Sequence, residues 1–193
     1  MGRPREFSEA AAIERAMAVF WEKGYEAASL PQLLARMGLT RGSFYKAFKG
    51  KRAVYLAALA HYDASVVNPV IQRLENREGE AGPARIAGLF KWLATIVDGP
   101  DARKGCFLCK AAVDRAPHDA DVQRAVASSI ARLAAAFQLA LLDRGAAMTR
   151  KHAREAGECL AANYLGIQVM RNAGGNPAAI KSAIAQTLKM GLR

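Results

Sequence analysis

Apolar residues recur with the helical period of 3.6 in every long patterned stretch of this chain, and this feature limits the fold more than any other. No run alternates β-branched apolar residues with polar ones, as a half-buried strand would require. The sequence therefore predicts an all-α protein. The longest apolar face comprises Val122, Val126, Ile130, Leu133, Phe137 and Leu141.

Three short helices are predicted near the N-terminus, each preceded by a capping residue. The caps are Ser8, Ser29 and Thr40, and Gly24 and Gly38 end the first two helices. Ser and Thr side chains accept hydrogen bonds from the free N–H groups of a first turn, and Gly tolerates the left-handed conformation at a helix end. A helix, a Gly-containing turn and a second helix form the arrangement of a DNA-binding helix-turn-helix.

Positive charge is concentrated around the third of these helices. The chain has 28 Lys and Arg against 17 Asp and Glu, for a formal net charge of +11. Phe44 and Phe48 share one helix face and would anchor the helix to the first two. The opposite side is small and cationic, as expected of a helix that enters the major groove of DNA. Between residues 27 and 62 there is no acidic residue, and the basic ones are Arg36, Arg41, Lys46, Lys49, Lys51 and Arg52.

The segment AMAVFWEKGYEAASLPQLLARMGLTRGSFYKAFKGK, residues 16–51, resembles the DNA-binding domain of TetR-family transcriptional regulators. It shares the Gly-aromatic turn, the Ser cap, the Gly turn and the Tyr-x-x-Phe before a Lys, and the similarity covers roughly residues 8–56. The basic arm GRPREF is also typical and would touch the minor groove or phosphates. Ala47 stands where many members have a His. The resemblance implies phosphate contacts by Thr40, Tyr45 and Lys51, and base contacts by Arg41, Gly42, Ser43 and Lys46.

The same resemblance implies the organisation of the whole chain. A three-helix helix-turn-helix domain over residues 1–52 would be joined by a long helix, kinked or ended at Pro69, to a C-terminal effector-binding and dimerisation domain over 53–193. The family implies a homodimer formed by the last two helices, a palindromic double-stranded DNA operator, and repression relieved by a small molecule. From the residues alone, the apolar stripes of 149–172 and 177–192 either close the core or pair with a second copy.

The segment GCFLCKAAVDRAPHDADV, residues 105–122, resembles one found in a subgroup of these regulators. Some members with this Cys respond to electrophiles or oxidants, so Cys106 is a candidate sensor thiol and Cys109 a candidate resolving partner. A helix N-terminus beside Arg103 and Lys104 would lower the thiol pKa. The alternative is that both cysteines only fill the core, since free Cys is among the most buried residue types.

The sequence predicts neither a metal site nor an enzyme. Cys106, Cys109, His118 and Cys159 are the candidate metal ligands, but one CxxC without a second pair is a weak indication. No cofactor is implied, and no convergent set of acids, bases or nucleophiles is present. No apolar run approaches the ~20 residues of a membrane span. The start MGRPREF lacks the apolar core of a secretory signal, so a cytoplasmic protein without a membrane partner is expected.

The effector pocket of the family lies among its middle helices. Few charges occur at the corresponding inward positions, so a small, uncharged or aromatic effector is expected, although aromatic residues at this spacing are also typical of a core. A nonspecific architectural DNA-binding protein is one alternative function, because the basic stretch alone would give salt-dependent affinity. The large C-terminal helical part argues against it. A CxxC thiol- or metal-binding protein is the other. The predicted pocket residues are Trp92, Ile96, Cys106, Phe107, Phe137 and Tyr164.

Overall fold

All regular secondary structure in the described part of the chain is helical. The computed structural model describes residues 8–99, 102–143 and 148–191, and its helices confirm the predicted all-α class. The predicted basic arm, residues 2–7, lies outside the described residues. The α-helices are α1 (Glu9–Lys23), α2 (Leu30–Met37), α3 (Arg41–Ala47), α4 (Lys51–Tyr62), α5 (Asn68–Glu75), α6 (Gly82–Ile96), α7 (Phe107–Asp114), α8 (Ala120–Leu142), α9 (Arg150–Asn172) and α10 (Pro177–Gly191).

The first three helices begin at the predicted capping residues. Ser8 and Thr40 each accept a hydrogen bond from the backbone N–H three residues further on. Ser29 forms a reciprocal capping box with Gln32. Gly38 ends α2 with a φ of 71°, the left-handed conformation that glycine adopts without strain. The tight turn after Gly38 therefore sets the start of α3.

The predicted fourth helix is two helices, α4 and α5, joined by a five-residue π-helical turn that begins at Asp63. Pro69 explains the break, because proline has no N–H to donate and its ring crowds the carbonyl four residues earlier. The N–H of Asn68 donates instead to the carbonyl of Asp63. The Asp63 carboxylate accepts hydrogen bonds from Ser129 (2.6 Å) and Arg132 (2.8 Å), which ties the turn to α8.

The helices form an N-terminal unit, α1 to α3, and a larger C-terminal bundle, and α4 packs against both. Phe20, Leu33 and Phe44 are fully buried at the centre of the first unit. In the bundle, α8 and α9 form the most extensive helix pair, with α5, α6 and α10 around them. Movement of α4 would therefore displace residues in both the N-terminal unit and the C-terminal bundle.

Helix α8 is long and apolar enough to cross a membrane, judged by length and composition alone. The sequence was expected to contain no such stretch, so this helix departs from that expectation. Val122, Leu133 and Phe137 of α8 are nonetheless buried among the other helices. This packing is typical of the central helix of a helical bundle.

The apolar stripes of the last two helices close the core of one protomer. Leu160 and Ile167 of α9 are buried, as are Ile180 and Ile184 of α10, which packs on α6 and α9. Of the two arrangements that the sequence left open for these stripes, the structure therefore has the core-closing one. Any surface that α9 offers to a second copy lies on its opposite, exposed side.

Candidate DNA-binding and effector sites

Helix α3 presents the predicted recognition face to solvent. Phe44 is fully buried and Phe48 is 7% exposed, with their rings 5.7 Å apart, so this side holds α3 against the N-terminal unit. Tyr45 is 54% exposed and packs edge-on against the Phe44 ring. The exposed residues of α3 and its cap are Thr40, Arg41, Gly42, Ser43, Tyr45, Lys46 and Ala47.

Gly42 has no packing role among the residues that the structure describes. A Cβ at this position would meet no atom within 4 Å, yet glycine inside a helix costs about 1 kcal/mol relative to alanine. Beside it, Thr40 caps the helix and its hydroxyl donates to the Ser43 hydroxyl at 2.9 Å. Apart from Arg41, the first turn of α3 and its cap thus consist of small residues, which suits close approach to another molecule.

Lys51 stands at the first position of α4, where Gly50 provides no side-chain cap. Its ammonium donates to the carbonyl of Glu26 (3.4 Å) and lies 4.5 Å from the centre of the Tyr25 ring. The uncapped N–H groups of the first turn of α4 and the Lys51 charge together form the electropositive end that favours an anion such as phosphate.

Arg52 does not belong to the DNA-facing cations with which the sequence grouped it. Its guanidinium binds both oxygens of Asp119, at 2.7 and 2.8 Å, and one oxygen of Asp121 at 2.5 Å. Arg115 also contacts Asp119 (3.4 Å). These four residues form a charged cluster, called here the joint, between the start of α4 and the start of α8. The Arg52 guanidinium holds the pKa of the Asp119 carboxyl well below its usual range.

Asp119 was missed as a linking residue because its partner is 67 positions away in sequence. Asp119 also caps α8, where its carboxylate accepts hydrogen bonds from the backbone N–H groups of Asp121 and Val122. Nearby, the Trp21 indole donates to the carbonyl of Lys104 (2.9 Å) and Lys110 donates to the carbonyl of Glu22 (2.8 Å). The segment from 104 to 121 therefore contacts both α1 and α4.

A cavity of about 440 Å³ lies between the N-terminal unit and the bundle. Three predicted pocket residues, Trp92, Ile96 and Tyr164, line it. Phe107 and Phe137 are fully buried in aromatic packing and do not line it. Lining residues that the sequence analysis did not predict include Trp21, Tyr62, Arg73, Lys104, Gln168 and Arg171.

Cys106 is buried behind Tyr62 at the N-cap of α7, beside a small pocket of about 20 Å³. Hydrogen bonds from the Cys109 thiol, the Tyr62 hydroxyl (3.3 Å) and backbone N–H groups of α7 lower the pKa of Cys106 to about 7, although burial opposes them. The contact with Cys106 and burial raise the pKa of Cys109 above its ordinary range. The neighbouring cations, Arg103 and Lys104, were expected to lower the Cys106 pKa but are not among these causes.

Gly105 is required in front of this thiol. Its φ is +60°, and a Cβ would lie 2.6 Å from the Cβ of Asn172 on α9.

Cys159 is exposed on α9. Within residues 8–99, 102–143 and 148–191, no group of three or more His, Cys, Asp or Glu side chains converges as a metal site, which leaves the Cys-and-His metal alternative without support.

The structure combines a helix-turn-helix, whose second helix is exposed and cationic, with a helical bundle that contains a cavity. This combination defines the class of helix-turn-helix transcriptional regulators. The family profile described as "Bacterial regulatory proteins, tetR family" matches residues 12–58. Over 142 residues the chain is 34% identical to the uncharacterized HTH-type transcriptional regulator YezE of Bacillus subtilis (strain 168), covering 74% of this chain and 72% of that protein. The chain belongs to the TetR family. It is therefore a transcriptional regulator and not an enzyme.

Further relatives agree with this assignment. The HTH-type transcriptional repressor ComR of Escherichia coli (strain K12) is 29% identical over 145 residues, covering 75% of this chain and 69% of ComR. A cysteine mutant of the TetR family transcriptional regulator CifR, solved with 26-bp double-strand operator DNA, superposes with a TM-score of 0.82 at 26% identity, over 97% of this chain and 98% of that one. Reduced Escherichia coli NemR shares the fold, with a TM-score of 0.75 at 19% identity over 92% and 93% of the two chains.

Proposed function

We propose that the protein is a homodimeric repressor that binds a palindromic operator through α3 and leaves it when a small effector occupies the 440 Å³ cavity. We take residues 1–52 as the DNA-binding domain and 53–193 as the effector-binding and dimerisation domain, acting in the cytoplasm. One observation carries the proposal: Trp21 of α1 is part of the cavity wall. A ligand there touches the DNA-binding unit itself.

The exposed face of α3 supports a division of the DNA contacts into phosphate contacts and base contacts. Thr40 and Tyr45 are exposed on α3 and its cap, and Lys51 is the first residue of α4. These three residues would hold phosphates, which fix the position of the protein on the duplex. The exposure of the remaining side chains, and the space beside Gly42, suit contact with base edges in the major groove. These base-contacting residues would be Arg41, Gly42, Ser43 and Lys46.

The exposed side of α9 is the proposed dimer surface. Cys159, Ala162, Gly166 and Val169 lie there at helical spacing and are all exposed. Gly166 resembles Gly42, because a Cβ at position 166 would meet no atom within 4 Å of the same protomer. Gly166 is therefore not required by packing within its own protomer. Its place in a row of mostly small residues suits close packing of two helices across a twofold axis.

Release would act through α4. A ligand between Trp21 and the bundle shifts α1 and α4 relative to α8, and the joint passes this shift to the start of α4 beside α3. The two α3 helices of a dimer must lie about 34 Å apart to enter successive major grooves. The effector must therefore bind more tightly to the conformation that cannot span this distance.

The repressor proposal is tested by fluorescence anisotropy on labelled DNA from directly upstream of the protein's own gene, with a shuffled duplex of equal composition as the control. The wild type should bind the upstream DNA more tightly, and Arg41→Ala with Lys46→Ala should abolish the preference. Equal affinity for both duplexes would support the nonspecific alternative and refute the proposal.

A thiol-responsive repressor is a second candidate, favoured by the lowered pKa of Cys106. A lowered pKa favours the thiolate, which adds to an electron-poor carbon–carbon double bond: a sulfur–carbon bond forms, the π bond breaks, and the other carbon takes a proton. The adduct would displace Tyr62 and reach the cavity. N-ethylmaleimide should then release Cys159→Ser from DNA but not the double variant Cys106→Ser, Cys159→Ser, which lacks the exposed thiol of α9 as well. Release of the double variant would exclude Cys106 as the sensor.

A further inference from the structure

The charges around the cavity differ from those expected of a pocket for an uncharged ligand. The described lining contains three cationic side chains, Arg73, Lys104 and Arg171, and no acidic side chain. They come from α5, from the segment before α7, and from α9. Cations from three separate elements thus face one cavity.

The walls between these cations are aromatic. Trp21 and Tyr62 meet edge to face, with ring centres 4.9 Å apart and planes at 83°. Trp92, 42% exposed, and Tyr164 lie on the α6 and α9 sides of the same cavity. Such surfaces favour a flat apolar group that stacks on one ring and meets the edges of the others. The volume of about 440 Å³ accommodates one or two fused rings with a short substituent.

Arg73 is the cation best placed to bind an anionic group. In the part of the chain that the structure describes, its guanidinium has no hydrogen-bond or ion-pair partner. It lies across α6 at Gly88, where an added Cβ would come within 3.0 Å of a guanidinium nitrogen. Lys104 is already 4.5 Å from the Trp21 ring centre, and Arg171 donates to Gln168 at 2.5 Å. These two cations add positive potential and Arg73 supplies a free pair of donors.

The hydroxyl groups of Tyr62 and Tyr164 in the cavity wall are hydrogen-bond donors as well. Burial raises the pKa of Tyr164 to about 12, so the hydroxyl keeps its proton at neutral pH. That hydroxyl accepts a hydrogen bond from Gln168 (3.3 Å), while its own proton meets no acceptor among the described residues. Tyr62 likewise stays protonated, and donates to Cys106. The cavity therefore offers donors and cations in excess of acceptors.

We infer that the effector is a small aromatic carboxylate, with its ring between the two tryptophans and its carboxylate facing Arg73 and the Tyr164 hydroxyl. This inference rests on the proposed function, since it names the ligand class of the same cavity. A guanidinium binds a carboxylate through two parallel hydrogen bonds. A cationic ligand would face three like charges, and a neutral one would form only weaker, uncharged hydrogen bonds with the Arg73 guanidinium.

The test uses three probes of matched shape and different charge: phenylacetate, 2-phenylethanol and 2-phenylethylamine. The chain has two tryptophans, and both line the cavity, so tryptophan emission excited at 295 nm reports on this site. Phenylacetate should give a saturable emission change with a Kd at least about tenfold below that of 2-phenylethanol. The amine should give none.

Arg73→Gln should remove this preference, while Arg77→Gln, an exposed arginine outside the lining, should keep it. The inference is overturned by equal or tighter binding of the alcohol, by no saturable binding of phenylacetate, or by an unchanged preference in Arg73→Gln. Phenylacetate binding with the stated preference supports the ligand class even where operator affinity is unaffected. In that case the proposed release from DNA fails separately.

Discussion

Lys51 and Arg52 are adjacent cations at the start of α4, and their side chains have different partners. Lys51 donates to the carbonyl of Glu26 and packs over Tyr25, both in the segment between α1 and α2. Arg52 faces the bundle and is held by Asp119 and Asp121. One residue thus serves the proposed DNA contact and the next fixes α4 to the domain that would sense the effector.

The role assigned to Lys51 predicts a change in salt dependence. Lys51→Ala should weaken binding to every DNA sequence and flatten the slope of log affinity against log salt by about one unit per protomer, because one phosphate contact is lost. Anisotropy titrations at several salt concentrations measure the slope. Lys189→Ala removes the same charge from the exposed side of α10 and should leave the slope unchanged. An unaltered slope in Lys51→Ala would refute the phosphate contact.

The pairing of Asp119 predicts a pH-dependent stability. A carboxyl whose native pKa is lowered stabilises the fold above its unfolded pKa of about 3.9, and this contribution is lost as pH falls towards the native pKa. Asp119→Asn keeps a capping oxygen for α8 but removes the charge. Urea denaturation should therefore show a deficit in the variant at pH 7 that shrinks below about pH 4. A deficit of equal size at both pH values would contradict the ionic role.

At the scale of elements, local sequence signals predicted the helices and their caps, because a hydroxyl or a glycine acts on its own turn. They could not predict partners far along the chain. The joint unites Arg52 with Asp119, and the cavity unites Trp21 with Lys104. Tyr164 lines the cavity, whereas Phe107, which has the same aromatic character, is fully buried elsewhere. The period of the apolar residues predicts which face of a helix points inward. It does not predict whether the side chains on that face pack against other side chains or line a cavity.

The exposed side of α9 predicts which substitution separates the protomers. Val169 is 52% exposed, so Val169→Glu should leave the protomer folded and raise the dimer dissociation constant roughly a hundredfold, since a twofold interface carries the charge twice. Sedimentation velocity measures the change. Val113→Glu places the same substitution on another exposed valine, in α7, and should remain dimeric. Ile184→Glu buries its charge in the core and should unfold the protein. A dimeric Val169→Glu would place the interface elsewhere.

Across the whole molecule, several contacts link the bundle to the DNA-binding unit. Trp21 belongs to α1 and lines the cavity directly, and Arg52 connects α4 to α8 through the joint. The π-helical turn after α4 is anchored to α8 by Asp63. The start and the end of α4 are therefore both held by the bundle, so a change in the bundle would move α4 as a unit and alter the position of α3.

The most direct test of a dimeric repressor is DNase I footprinting on the DNA upstream of the protein's own gene. Wild-type protein should protect a palindromic site whose half-sites are centred about one helical turn, ~34 Å, apart. The Arg41→Ala, Lys46→Ala variant should lose the protection. Uniform weak protection along the fragment, or a footprint that the variant retains, would contradict sequence-specific binding by α3.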